Sequence, residues 1–102
     1  MRVIDTENWA WFLFEHDGAL LLDACCSMSA VTYNYMIRLN DAERAQYESE
    51  GRSYLSQLAH AIHYSVPIAP NTQSIYQGRN VQQEFAELAT AAVKAWRSQQ
   101  LQ

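Results

Sequence analysis

Three places in this chain hold side chains suited to chemistry. His60 and His63 lie three apart, a spacing that helical metal sites use alongside carboxylates. A metal takes about three or four ligands, and no Asp, Glu or Cys falls beside these two on the same helical face, so they read as surface histidines. His16 next to Asp17 offers a base with an orienting acid. Asp17-Gly18 is also a tight-turn pair, and turn geometry accounts for both residues without catalysis. Cys25 and Cys26 are neighbours, so on a strand they point to opposite faces and cannot bridge each other. Zinc thiols are spaced by roughly two to four residues, so the pair reads as two small buried hydrophobes in a reducing compartment. Ser27 and Ser29 have no Gly-x-Ser-x-Gly elbow around them. The three glycines, Gly18, Gly51 and Gly78, leave no phosphate-cradling loop. The expectation is a non-enzyme with no metal and no cofactor; the competing reading is a small enzyme or metal protein centred on His60, His63 and Cys25.

Recognition is the better use of these residues. Residues 66–80, VPIAPNTQSIYQGRN, form one long irregular connection, and long connections in compact domains often carry function. Ile68, Ile75 and Tyr76 put apolar and aromatic groups into it, and Arg79 adds a planar donor fork. Tyr and Arg are enriched in interface hot spots, and two prolines reduce the ordering cost on binding. A second reading stands beside this one: Ile68 and Tyr76 plug a satellite core under the loop, and Arg79 bonds helix carbonyls.

The elements that must position these groups are legible from periodicity. Residues 9–14 (WAWFLF) and 19–26 (ALLLDACC) read as strands joined through the Asp17-Gly18 hairpin. Val31, Tyr33, Tyr35, Ile37 and Leu39 alternate with Thr32, Asn34, Met36 and Arg38, the pattern of a third strand with one buried face. Asn40 with Glu43 is a capping box opening a helix that runs to about residue 65, with Gly51 either a break or a tolerated glycine. Leu55, Leu58, Ala59, Ile62 and Val66 form its stripe, and Pro67 and Pro70 end it. A second box, Asn80 with Gln83, starts a last helix whose stripe is Val81, Phe85, Leu88, Ala92 and Trp96. The expected architecture is α+β: a three-stranded antiparallel meander followed by two or three helices packed on one face of the sheet. The first two strands are apolar on both sides, with Trp9, Trp11 and Leu13 opposite Phe12 and Phe14. The second aromatic face must then be covered by the C-terminal helix, by a second copy or by a partner.

The chain's 102 residues suit a single domain. Residues 1–50 carry nine acids against three bases, and residues 51–102 four bases against two acids. No Lys/Arg cluster exists to displace counterions, so a nucleic-acid partner is not expected. The acidic first half suits a basic partner, or serves solubility alone. No apolar run approaches the roughly 20 residues that span a bilayer, and MRVIDTENWA is not a signal peptide, so a cytoplasmic protein without membrane contact is expected.

NWAWFLFEHDG, IRLNDAERAQY, GRSYLSQLAHAIHYS and the Tyr76-x-x-Arg79 pair together resemble small bacterial immunity proteins of polymorphic toxin systems. That resemblance implies a stoichiometric inhibitor that neutralises a cognate toxin or effector domain by occluding it. Tyr76, Arg79 and Ile68, with Glu15 and Asp17 as acidic support, are the expected contacts. The alternative is a homodimeric structural or adaptor protein that buries the aromatic sheet face against its own copy.

Overall fold

A computed structural model describes residues 1–7, 10–28, 31–65, 76 and 78–100. It is an α+β fold with one antiparallel sheet in the order β1-β2-β3-β4 and three helices. The strands are β1 (Arg2–Glu7), β2 (Trp11–His16), β3 (Ala19–Met28) and β4 (Val31–Arg38). The helices are α1 (Asp41–Glu50), α2 (Arg52–Ser65) and α3 (Gln82–Gln100). Each strand pairs with its sequence neighbour, as a meander requires. The β2–β3 turn holds Asp17 at φ 51° and Gly18 at φ 81° between the paired His16 and Ala19. Two consecutive positive φ values match the right-handed twist of the flanking strands, which is why Asp-Gly sits there.

The expected three strands become four. β1 escapes sequence periodicity because its pairing register slips: Val3 faces Phe14 and Asp5 faces Leu13, leaving Ile4 as the extra residue of a bulge. Val3 packs inward while Ile4, equally apolar, stays 39% exposed, so the sequence shows no apolar/polar alternation here. The bulge and the charges of Arg2, Asp5 and Glu7 also suit an edge strand, where a regular ladder invites pairing with other chains. The second strand begins at Trp11; Trp9 lies outside the described residues.

Both faces of the sheet are covered from within the chain, which corrects the expectation of helices on one face. On one side Trp11, Leu13, Leu22, Ala24, Tyr35 and Ile37 meet Leu55, Leu58, Ala59 and Ile62 of α2. On the other, Phe14, Leu21 and Met36 lie under Phe85, Ala89 and Ala92 of α3, with Phe12 and Val93 at the margin. Trp96 closes edge-on to Phe12, ring centroids 5.8 Å apart at 89°. Burying each such large side chain contributes about 1.5–3 kcal/mol, so leaving the second face bare would cost most of a small domain's net stability. The alanines let α3 approach closely and turn it relative to the expected stripe: Ala89 is buried, whereas Leu88 is 43% exposed. Among the described residues no helix is long and apolar enough to cross a membrane.

The helix ends carry the connections. Asn40 caps α1: its side chain accepts from the Glu43 amide at 2.8 Å, and Glu43 accepts from the Asn40 amide at 2.9 Å. Gly51, at φ 70° and ψ −144°, breaks the helical run, donating its N–H to the Tyr47 carbonyl at 2.7 Å. Asn80 departs from the expected capping box. It bridges Ile37 at the β4 edge, and its side chain accepts from Gln82 N at 2.9 Å and Met36 N at 3.3 Å. With Val81 N donating to the Met36 carbonyl at 2.7 Å, this segment both starts α3 and covers part of the β4 edge. Val66, Pro67 and Pro70 lie outside the described residues.

Candidate functional site

The structure brings Tyr76 and Arg79 together and turns both inward. Tyr76 is 8% exposed in the core beneath α2, and its backbone carbonyl accepts from the Tyr35 hydroxyl at 2.7 Å. Arg79 donates to both Glu43 carboxylate oxygens, at 2.8 and 2.6 Å, and to the Arg38 carbonyl at 2.8 Å. Of the second reading of residues 66–80, the inward-turned Tyr76 is seen, in the main core rather than a satellite one, while Arg79 bonds a carboxylate and the carbonyl at the end of β4 instead of helix carbonyls. Burial on its own would raise the Glu43 carboxyl, but the hydrogen bonds from Arg79 and the Asn40 amide outweigh it and hold it below the usual range. Ile68 and Ile75 lie outside the described residues.

Glu15 and Asp17 belong to the β2–β3 hairpin, a separate element from the Tyr76–Arg79 segment. Glu15 lies across the β1–β2 pairing from Arg2, accepting from its guanidinium at 3.3 and 3.2 Å on the open surface. Asp17 projects from the turn with its side chain 90% exposed, 3.4 Å from the His16 imidazole. The imidazole in turn lies edge-on to Phe85, centroids 5.7 Å apart. Arg44 of α1 donates to the Gly18 carbonyl at 2.7 Å and ties the hairpin tip down.

α2 offers the outward-facing candidate. Tyr64 is 72% exposed. Its ring sits 4.4 Å from the His60 ring and 5.8 Å from the His63 ring, against which it stands at 87°. Next to this aromatic group, Ala10, Ser56, Ala59, His60 and His63 line an open cleft of about 240 Å³, with Cys25 at its edge. The base of the cleft is firm. Trp11 Nε1 donates to Ser56 Oγ at 3.2 Å, and the Arg52 guanidinium lies over the Trp11 ring at 5.8 Å while bonding Thr6 O at 2.9 Å and Glu7 at 2.7 Å.

Cys25 does not complete a ligand set with the two histidines. Strand alternation sends its thiol to the α3 side, where Asn34 Nδ2 donates to it at 3.8 Å, while Cys26 is buried in the core under α2. Cys25 is exposed, which corrects the expectation of two buried cysteines; partial desolvation is still the main cause that raises its thiol, with the Asp23 charge adding to it, opposite to what a reactive thiolate needs. Among the described residues no three or more His, Cys, Asp or Glu are grouped to hold a metal ion.

Sequence reasoning passed over Tyr64. The signal was present, because Tyr64 falls off the Leu55–Leu58–Ala59–Ile62 stripe and so belongs to the solvent side of α2. No family model matches the chain, and no curated protein or solved structure matches it either.

Proposed function

We propose that the chain is a stoichiometric protein-binding module of the immunity type, which neutralises a cognate toxin or effector domain in the cytoplasm by occluding it. The observation that carries this reading is Tyr64, held 72% exposed against His60 beside an open cleft. A large aromatic ring with few rotatable bonds, already in contact with the His60 ring before binding, gives much contact area for little ordering entropy. Such residues dominate interface energetics. Occlusion asks no chemistry of the inhibitor, only a rigid surface that a partner fits.

The other expected contacts take graded parts in this proposal. Asp17 and the exposed acids of α1, Asp41, Glu48 and Glu50, supply negative potential that speeds encounter with a basic partner. Glu15 contributes less, since Arg2 offsets its charge. Tyr76 and Arg79 act by fixing the chain where it returns from residues 66–75, the stretch that contains Ile68. The homodimer reading loses its motivation, because α3 covers the aromatic face that a second copy was to bury.

The test is affinity purification from the encoding organism with the wild type and Tyr64→Ala in parallel, read by mass spectrometry with stoichiometry. A near-equimolar partner carrying a secreted-toxin domain on the wild type, lost from the variant, is the expected result. Bait alone under conditions where toxin genes are expressed overturns the immunity reading.

A further inference from the structure

The second face of the sheet holds a group that protein binding at α2 does not use. Asp23 sits in the middle of the apolar run of β3, facing Phe12 across one ladder and Met36 across the other, and is 6% exposed. Its carboxylate accepts one hydrogen bond, from the neutral Asn34 Nδ2 at 3.3 Å. Among the described residues no cation pairs with it. An unpaired buried carboxylate is costly, and burial pushes the Asp23 carboxyl up to about 6, the Asn34 bond only partly offsetting this.

Asp23 borders a groove of about 310 Å³ between the sheet and α3. Gln82, at the start of α3, lines the same groove, and its Oε1 is buried with no hydrogen-bond donor among the described residues. The walls are apolar, formed by Phe12, Phe14, Ala89 and Val93. Lys94 and Arg97, three apart on the exposed side of α3, complete the lining and form no ion pair among the described residues. Acceptors inside, an apolar passage and two cations at the mouth define a complementary molecule: a hydrogen-bond donor, a short aliphatic stem and an anion.

We propose that this groove is a binding site for a small amino-carboxylate zwitterion, its ammonium directed to Asp23 and Gln82 Oε1 and its carboxylate to Lys94 and Arg97. An ammonium in the groove would pair the buried acid and offer donors to Gln82 Oε1, which has none among the described residues, and the rim arginine and lysine favour one orientation. The site lies on the opposite side of the sheet from Tyr64 and stands independently of the toxin-binding reading.

The test follows backbone amide resonances while γ-aminobutyrate, δ-aminovalerate or ε-aminocaproate is added at neutral pH, with butylamine and butyrate as single-ended controls. At least one zwitterion is expected to saturate with a dissociation constant of about 1 mM or tighter, about tenfold tighter than either control. The shifts centre on Asp23, Asn34, Gln82 and Lys94. Asp23→Asn abolishes saturation. The Lys94→Ala, Arg97→Ala double variant, altered only at exposed positions, keeps its fold and loses about tenfold in affinity. Failure of all three zwitterions to saturate, equal binding by the controls, or wild-type binding by the double variant overturns the proposal.

Discussion

Arg79 grips Glu43 with both terminal guanidinium nitrogens, at 2.8 and 2.6 Å, while the same carboxylate accepts from the Asn40 amide at 2.9 Å. One acid therefore caps α1 and clamps the chain returning to the sheet, and Arg79 extends the clamp to the end of β4 through the Arg38 carbonyl. The pair is largely shielded, with side chains 27% and 11% exposed.

Breaking this clamp destabilises the fold. Arg79→Ala leaves Glu43 without its main donor and costs about 2 kcal/mol, less than a fully buried pair because the guanidinium edge still meets water. Urea unfolding measures it, and a cycle with Glu43→Gln gives a coupling of about 1 kcal/mol or more. Because the folded Glu43 carboxyl lies below its ordinary value, its contribution is present above the ordinary carboxylate range. It disappears as pH falls through the lowered folded value.

Asp23 has the opposite sign. Its folded value of about 6 lies above its ordinary 3.8, so the native state holds the proton more tightly than the unfolded chain. This group's contribution is favourable at low pH and lost as pH rises from about 4 to about 6. Asp23→Asn keeps an acceptor for Asn34 and removes the buried charge, raising stability at neutral pH by about 2 kcal/mol and flattening that slope. Thermal or urea unfolding of both proteins across this range checks it.

Tyr64 separates binding from folding. Tyr64→Ala removes a ring that is 72% exposed, so stability should move by no more than about 0.5 kcal/mol. Affinity for the captured partner should fall by about 2 kcal/mol or more. Calorimetric titration beside a melting curve distinguishes the two effects.

Gly51 is a backbone requirement. No heavy atom lies within 4 Å of where a Cβ would stand, so Gly51→Ala meets no clash. Its φ of 70° with ψ of −144° is nevertheless closed to L residues, and the substitution should cost about 1–3 kcal/mol in urea unfolding. The mirror of that conformation is ordinary extended backbone, so D-alanine introduced by chemical ligation should fold with little loss.

Much of the fold was legible in the sequence, and the reasons for the rest are local. Val31 to Leu39 alternates cleanly, Asp17-Gly18 marks its hairpin, and Asn40 with Glu43 marks the start of α1. β1 stayed hidden because the bulge at Ile4 destroys the period that strand reading depends on. The inward face of α3 differs from the expected stripe because that stripe counts Leu88 as apolar, whereas packing against Phe14 and Met36 favours the small Ala89. The capping role of Glu43 was plain, but its second partner is 36 residues away, beyond any local pattern. The same distance effect turned Tyr76 and Arg79 from expected contacts into internal fastenings. Asp23 was visible as a charge within ALLLDACC, yet only the placement of α3 over it shows that the charge is shielded.

That placement has a consequence for synthesis. Phe14, Leu21 and Met36 belong to the first half of the chain, and the residues that shelter them, Phe85, Ala89 and Ala92, to the last third. At about 5–20 residues per second, a ribosome needs roughly 2–10 s to travel from Met36 to Phe85. For that interval the nascent meander shows water a bare apolar sheet face, and α2, complete only once Ser65 is made, can close on its other side alone. A chaperone that holds hydrophobic surfaces has its opening then, and translation stalled in that window should yield aggregates that full-length chains do not.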